Sequence, residues 1–200
     1  MTKERQVVYV ETRAEWRQWL EENHSSKQSV LLLCNTKKSN LPTINWSELV
    51  DEALCFGWID STRKSIDETK FTQLFTRRKP RGTWSKINKE KIERLIESGL
   101  MTQAGLEVVE IAKQNGSWTI LDEVEELIIP EDLEKAFRKH PGSKDHFLSL
   151  SKSVRKMILQ RLVLAKRPET RRKRIAEVAG NSAPKRKPEQ LYPSKKRHIE

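Results

Sequence analysis

The sequence predicts an α+β fold: a small mixed or antiparallel sheet of about four strands within residues 5–77, with N-terminal helices, followed by a helical C-terminal half. Three observations predict it. Runs of β-branched and aromatic residues cluster in the first 77 positions, helical periodicity with capping residues dominates the remainder, and the excess positive charge is confined to the last quarter. With 34% charged and 36% hydrophobic residues over 200 positions, the chain can bury a real core while keeping long solvated helical faces.

The elements follow in order. Residues 6–11 (QVVYVE) read as a strand. Thr12 and Glu15 have capping-box spacing, and Trp16, Trp19 and Leu20 then fall on one helical face, giving a helix over 12–24. The apolar run 29–35 (SVLLLCN) is short enough to be a strand buried on both faces, and 37–42 is a polar loop. Asn45 and Glu48 form a second capping pair and open a helix over 46–57, which Gly57 ends by accepting a left-handed backbone. Residues 58–65 and 70–77 read as an antiparallel hairpin turning at Asp67-Glu68, and Pro80-Arg81-Gly82 is a turn. Helices are expected over 85–98, 102–115, from Pro130 onward, 154–165 and 169–179. The predicted division is a core domain at 5–150, basic C-terminal helices at 151–180 and a disordered basic tail at 181–200. Tryptophans 16, 19, 46, 58, 84 and 118 are expected in the core or lining a pocket.

The net charge of +11 is unevenly spread. Residues 1–151 hold 23 Lys/Arg against 24 Asp/Glu, whereas residues 152–200 hold 16 against 4. An electroneutral globule with a cationic appendage points to phosphate, nucleic acid or anionic lipid as partner. No apolar run is long enough to span a bilayer, and Met1 to Glu11 lacks the apolar stretch of an export signal, so a cytoplasmic location is expected. Cys34 and Cys55 sit in apolar surroundings, as buried reduced thiols do.

The central segment carries a series of distinctive stretches. Phe56-Gly57-Trp58-Ile59-Asp60 is followed by Arg63-Lys64-Ser65, Phe71-Thr72-Gln73, Phe75-Thr76-Arg77-Arg78 and Trp84-Ser85-Lys86-Ile87-Asn88-Lys89. Gly99-Leu100-Met101-Thr102 with Gly105 closes it, and Ala165 to Arg172 (AKRPETRR) follows near the C-terminus. Over residues 7–178 this series resembles the YdeI/OmpD-associated, or bacteriocin-protection, family. The resemblance implies a role in stress resistance or in protection against bacteriocins and antimicrobial peptides, with association to an outer-membrane porin. The missing export signal speaks against direct porin contact. The family brings no catalytic residues to carry over.

Two constellations stand out. On the hairpin and its exit turn, Trp58, Asp60, Arg63, Gln73, Arg77, Arg78, Trp84 and Asn88 either form structural ion pairs beneath Trp84 or line a pocket for an anionic or planar ligand. Arginine offers forked donors to carboxylate or phosphate, and tryptophan offers a stacking face. Strand alternation places Trp58, Asp60 and Thr62 on one face and Ile59, Ser61 and Arg63 on the other. The basic run Arg77 to Arg81 beside the helix at Ser85 is either a solvated loop or a phosphate contact. At the C-terminus, Arg155, Lys156, Arg167, Arg171, Arg172 and Arg174 are candidate anion or nucleic-acid contacts.

Several chemistries are excluded by pattern. His24, His140, His146 and His198 lack metal-ligand spacing, so no metal and no cofactor is expected. No nucleophile elbow, phosphate-binding loop or dinucleotide fingerprint occurs, and no catalytic motif is visible. The reading is a non-catalytic resistance protein binding an anionic ligand or macromolecule. The alternatives are a small-molecule enzyme using the Asp60–Arg77 pair, and non-specific nucleic-acid binding through the basic helices.

Overall fold

In the computed structural model, which describes residues 6–180, the β-branched runs form one four-stranded mixed sheet, ordered β1-β2-β4-β3. Strand β1 (Val7–Tyr9) pairs parallel with β2 (Ser29–Asn35) across helix α1 (Arg13–Asn23). Strands β3 (Trp58–Ser65) and β4 (Lys70–Arg77) form the expected hairpin, and β4 inserts antiparallel beside β2. The hairpin turns where expected, on the Asp67 carboxylate, which accepts from the Thr69 and Lys70 amides at 2.6 and 2.8 Å.

Helix α2 (Trp46–Cys55) starts with the capping box that the sequence announces: the Asn45 side chain accepts from the Ser47 amide at 2.9 Å, and Glu48 accepts from the Asn45 amide at 3.3 Å. The α1 box is half formed. Thr12 accepts from the Glu15 amide, but the Glu15 carboxylate turns to the amide of Glu11 rather than that of Thr12. Arg13 and Arg17 of α1 clasp the buried Glu52 of α2 at 2.5 and 2.8 Å, which satisfies a carboxylate that would be costly to bury alone.

The compact units divide at 119/120, not at 150. In the first, α1 and α2 lay Trp16, Leu20, Leu49, Val50 and Ala53 into a core with Val30, Leu32 and Phe75 of one sheet face. Helices α3 (Lys86–Glu97) and α4 (Gln103–Gln114) add Ile92, Leu95, Val109 and Ala112 to it. Gly105 lets α4 meet the end of α2, since a Cβ there would lie 2.2 Å from the Cys55 carbonyl oxygen. The second unit has its own core, in which Val124, Leu133 and Phe137 meet Ile158, Leu162 and Ile175. That shared core is why the expected boundary at 150 falls inside a unit. Its elements are α5 (Asp122–Glu125), α6 (Glu131–Lys139), α7 (Ser143–Ser149), α8 (Lys152–Val163) and α9 (Pro168–Gly180). The expected tail at 181–200 lies outside the described residues.

Two placements differ from the sequence reading. Trp46 is 47% exposed, because it is the first residue of α2 and only the following turns reach the core. A β-bulge lies between Asp60 and Arg63, so Asp60 opposes Phe75 and Arg63 opposes Gln73. Phe75 and Gln73 share a face of β4, so Arg63 joins the face of Asp60 instead of the opposite one.

Candidate functional site

The hairpin residues separate into three groups. At the start of β3, Trp58 is fully buried, its indole N–H directed at the His24 carbonyl at 3.4 Å, and Arg77 Nε donates to the same oxygen at 2.7 Å. That carbonyl belongs to the C-cap of α1, where a cation meets the negative end of the helix dipole. Arg77 therefore fastens a helix end, and the cations that act on Asp60 are Arg78 and Lys91. At the far end of the strands, exposed Arg63 lies 3.6 Å over the Phe71 ring, and Gln73 is buried with a marginal 3.5 Å contact to the Leu74 carbonyl. Asn88 contributes its backbone amide to the Ser85 cap of α3.

The third group brings Asp60, Arg78 and Trp84 together. The Arg78 guanidinium lies 3.5 Å over the Trp84 ring and donates to the Thr83 carbonyl at 3.2 Å, while its Nε is buried without a partner. Burial pushes Arg78 down to about 10, against the attraction of Asp60, so it stays charged at neutral pH. Burial raises the Asp60 carboxyl above the ordinary range, opposed by its own backbone amide, Arg78, a hydrogen bond from Trp46, and Lys91. Lys91 is itself held by Asp51 and the Ser47 hydroxyl, each at 2.5 Å. Asp60, Arg78 and Trp84 thus form one cluster, in which Arg78 acts on Asp60 through its charge while its own Nε is left without a partner.

The second unit offers a groove. Helix α6 presents Asp132, Lys135, Ala136 and Lys139, a stripe at helical spacing, and its C-cap adds His140. Helix α9 faces it with Pro168, Arg171, Arg172, Ile175 and Ala176, and the space between is about 440 Å³. Lys135, Lys139, His140 and Arg172 are exposed. Asp132 is the one carboxylate in the lining, and it is engaged by Arg171 at 2.6 and 2.9 Å. Arg171 also donates to the Leu162 carbonyl at 2.9 Å, so two acceptors fix its position. The groove thus combines four permanent cations and a histidine with an apolar floor of alanine, isoleucine and proline.

Of the C-terminal candidates, Arg171 and Arg172 line this groove. Lys156 is paired with Glu125, Arg174 donates to the Arg161 carbonyl, and Arg155 is half-buried with its Nε unpartnered. Arg167 is exposed. Lys135, Lys139 and His140 escaped the sequence reading, because α6 carries as many acids as bases and only its pairing with α9 collects the bases. Among the described residues no group of His, Cys, Asp or Glu is placed to hold a metal, and no helix is long and apolar enough to cross a membrane.

The groove lies within a recognised family region. Residues 126–183 match the family model described as bacteriocin-protection, YdeI or OmpD-associated. That similarity to the YdeI/OmpD-associated family spans less than a third of the chain. Residues 8–108 match a second model, described as a domain of unknown function (DUF8412), which covers half of the chain. The chain therefore belongs to the DUF8412 family and is a composite: the Phe56–Asp60 and Trp84–Lys89 stretches lie in the DUF8412 domain, and the Ala165–Arg172 run lies in the segment similar to the bacteriocin-protection family. The family description points to a bacteriocin-protection role. No curated protein and no solved structure matches the chain.

Proposed function

We propose that this protein is a non-catalytic resistance factor that captures an anionic ligand in the groove between α6 and α9. The observation that carries this reading is the convergence of Lys135, Lys139, Arg171 and Arg172 on one apolar-floored cleft inside the bacteriocin-protection segment. The charges are suited to phosphate or carboxylate groups, and the floor to an apolar edge on the same ligand. The enzyme alternative is weakened by the engagement of Arg77 with the His24 carbonyl and by the occupation of Arg78 with Trp84. Non-specific duplex binding through the basic helices is weakened by the carboxylate pairs at Lys156 and Arg171. A cytosolic site of action belongs to the proposal, supported by the free thiols of Cys34 and Cys55.

Calorimetry with tripolyphosphate at low salt tests the reading. Binding is expected, weakening as salt rises, and Lys139→Glu with Arg172→Glu together reduces affinity by about tenfold or more. Absence of binding at low salt, or unchanged affinity in the double variant, would refute it.

A further inference from the structure

The basic loop between β4 and α3 is left unexplained by the groove. Lys79 and Arg81 are exposed on either side of Pro80, and the Gly82 amide closes a tight turn on the Lys79 carbonyl at 2.8 Å. The loop is fastened to the end of α4. The Pro80 carbonyl accepts from the Asn115 side-chain amide at 2.8 Å and from the Ser117 hydroxyl at 3.2 Å. Those two bonds tether the loop to Asn115 and Ser117, the latter the neighbour of Trp118 in the chain.

Trp118 is half-buried and rests against the buried Trp84, with ring centroids 4.8 Å apart. Its ring also draws two ammonium groups, Lys89 of α3 at 5.4 Å and Lys113 of α4 at 5.8 Å from the centroid. An indole partly open to solvent thus sits among cations of two helices, next in sequence to the residues that tether the basic loop, while Trp84 packs against it.

We propose that Trp118, with Lys79, Arg81 and Lys113, is a binding platform for single-stranded nucleic acid on the first unit. An unpaired base stacks on the indole, and flanking phosphates are met by the loop and α4 cations. A duplex keeps its bases stacked internally and offers no free face to Trp118, so the single strand is the partner this geometry selects. The α6/α9 groove is lined by no Trp, Tyr or Phe to supply such an extended stacking face.

The probe is a labelled oligothymidylate, followed by fluorescence anisotropy at low salt with the full chain. Tight binding is expected, weakened about tenfold or more in Trp118→Leu, which keeps apolar packing but removes the aromatic face, and changed less than about threefold in Trp118→Phe. Arg81→Glu with Lys113→Glu, both on the exposed surface, must also weaken binding, and this decides the matter if the leucine variant does not fold. The groove variant Lys139→Glu/Arg172→Glu, which removes the same charge, must weaken binding less than Arg81→Glu/Lys113→Glu does, which separates this platform from the groove. Failure of the oligonucleotide to bind, equal affinity of the leucine and phenylalanine variants, or equal competition by a duplex of the same length would overturn the proposal. Thymidine monophosphate binding as tightly as the oligonucleotide would also overturn it.

Discussion

Asp132→Asn is the sharpest perturbation of the groove, because it should move ligand affinity and stability in opposite directions. Asp132 is the one carboxylate in the lining, and its charge opposes any anion that enters. At a separation of roughly 6 Å and an effective dielectric of about 40–80, one unit charge against another amounts to ~0.7–1.4 kcal/mol, and salt near physiological strength roughly halves it. Phosphate or tripolyphosphate should therefore bind about three- to tenfold tighter at low salt. Arg171 stays in place because the Leu162 carbonyl still holds it. The Arg171 pair is partly exposed, with Asp132 at 44% side-chain exposure, so its loss should cost no more than about 0.5–1 kcal/mol. The stability cost has a defined pH window. The hydrogen bond from Arg171 holds the Asp132 carboxyl below its ordinary value. Its contribution is therefore present above about pH 4, the unfolded value, and fades as pH falls through the folded one. Calorimetry gives the affinity, and urea unfolding at neutral and acidic pH gives the stability. A variant that loses stability but binds anions no more tightly would show that the cations of α6 and α9 serve the fold alone.

Three further outcomes follow from the geometry. Gly105→Ala should cost about 3 kcal/mol in urea unfolding, because the clash is with the Cys55 backbone and no rotamer relieves it; a loss under about 1 kcal/mol would contradict the close approach of α2 and α4. Burial pushes both Cys34 and Cys55 up to about 11, so native-state alkylation near neutral pH should run roughly two to three hundred times slower than for a free thiol, and rapid labelling of Cys55 would contradict its burial. Asp60 is raised mainly by desolvation, so its charge opposes folding above the folded value, and that penalty is relieved as pH falls toward the unfolded value near 3.9. Asp60→Asn should accordingly hold or raise stability at neutral pH in thermal unfolding, and a clear loss would reverse the assignment.

What was legible in the sequence was local. The hairpin, the Asn45–Glu48 box and the helices after Ser85 each announce themselves within a few residues, because caps and periodicity act at that range. Helices α5 and α7, of 4 and 7 residues, are too short to show a period. The bulge after Asp60 was hidden for a related reason: strand alternation assumes an unbroken ladder, and one shift in register moves Arg63 to the other face. The grouping of Asp60, Arg78 and Trp84 could be anticipated from the hairpin and its exit turn. The groove could not, since Lys139 and Arg172 lie 33 positions apart and only the packing of α6 on α9 joins them.

The first unit uses most of its characterised arginines as fasteners. Arg13 and Arg17 hold Glu52, Arg77 holds the end of α1, and Arg78 lies over Trp84. A guanidinium committed to a buried acceptor has little left for a ligand, since releasing it would leave that acceptor unsatisfied at a cost of about 1–3 kcal/mol. The groove of the second unit works differently. Lys135 and Arg172 have acidic partners within their own helices, at four- and three-residue spacing, on side chains 64% and 76% exposed. Exposed pairs of that kind are worth so little that an incoming phosphate can displace them. Formal charge therefore misplaces the binding capacity of this protein: what matters is how cheaply each cation can change partners, and by that measure the α6/α9 groove is the better anion site than the arginine-rich hairpin.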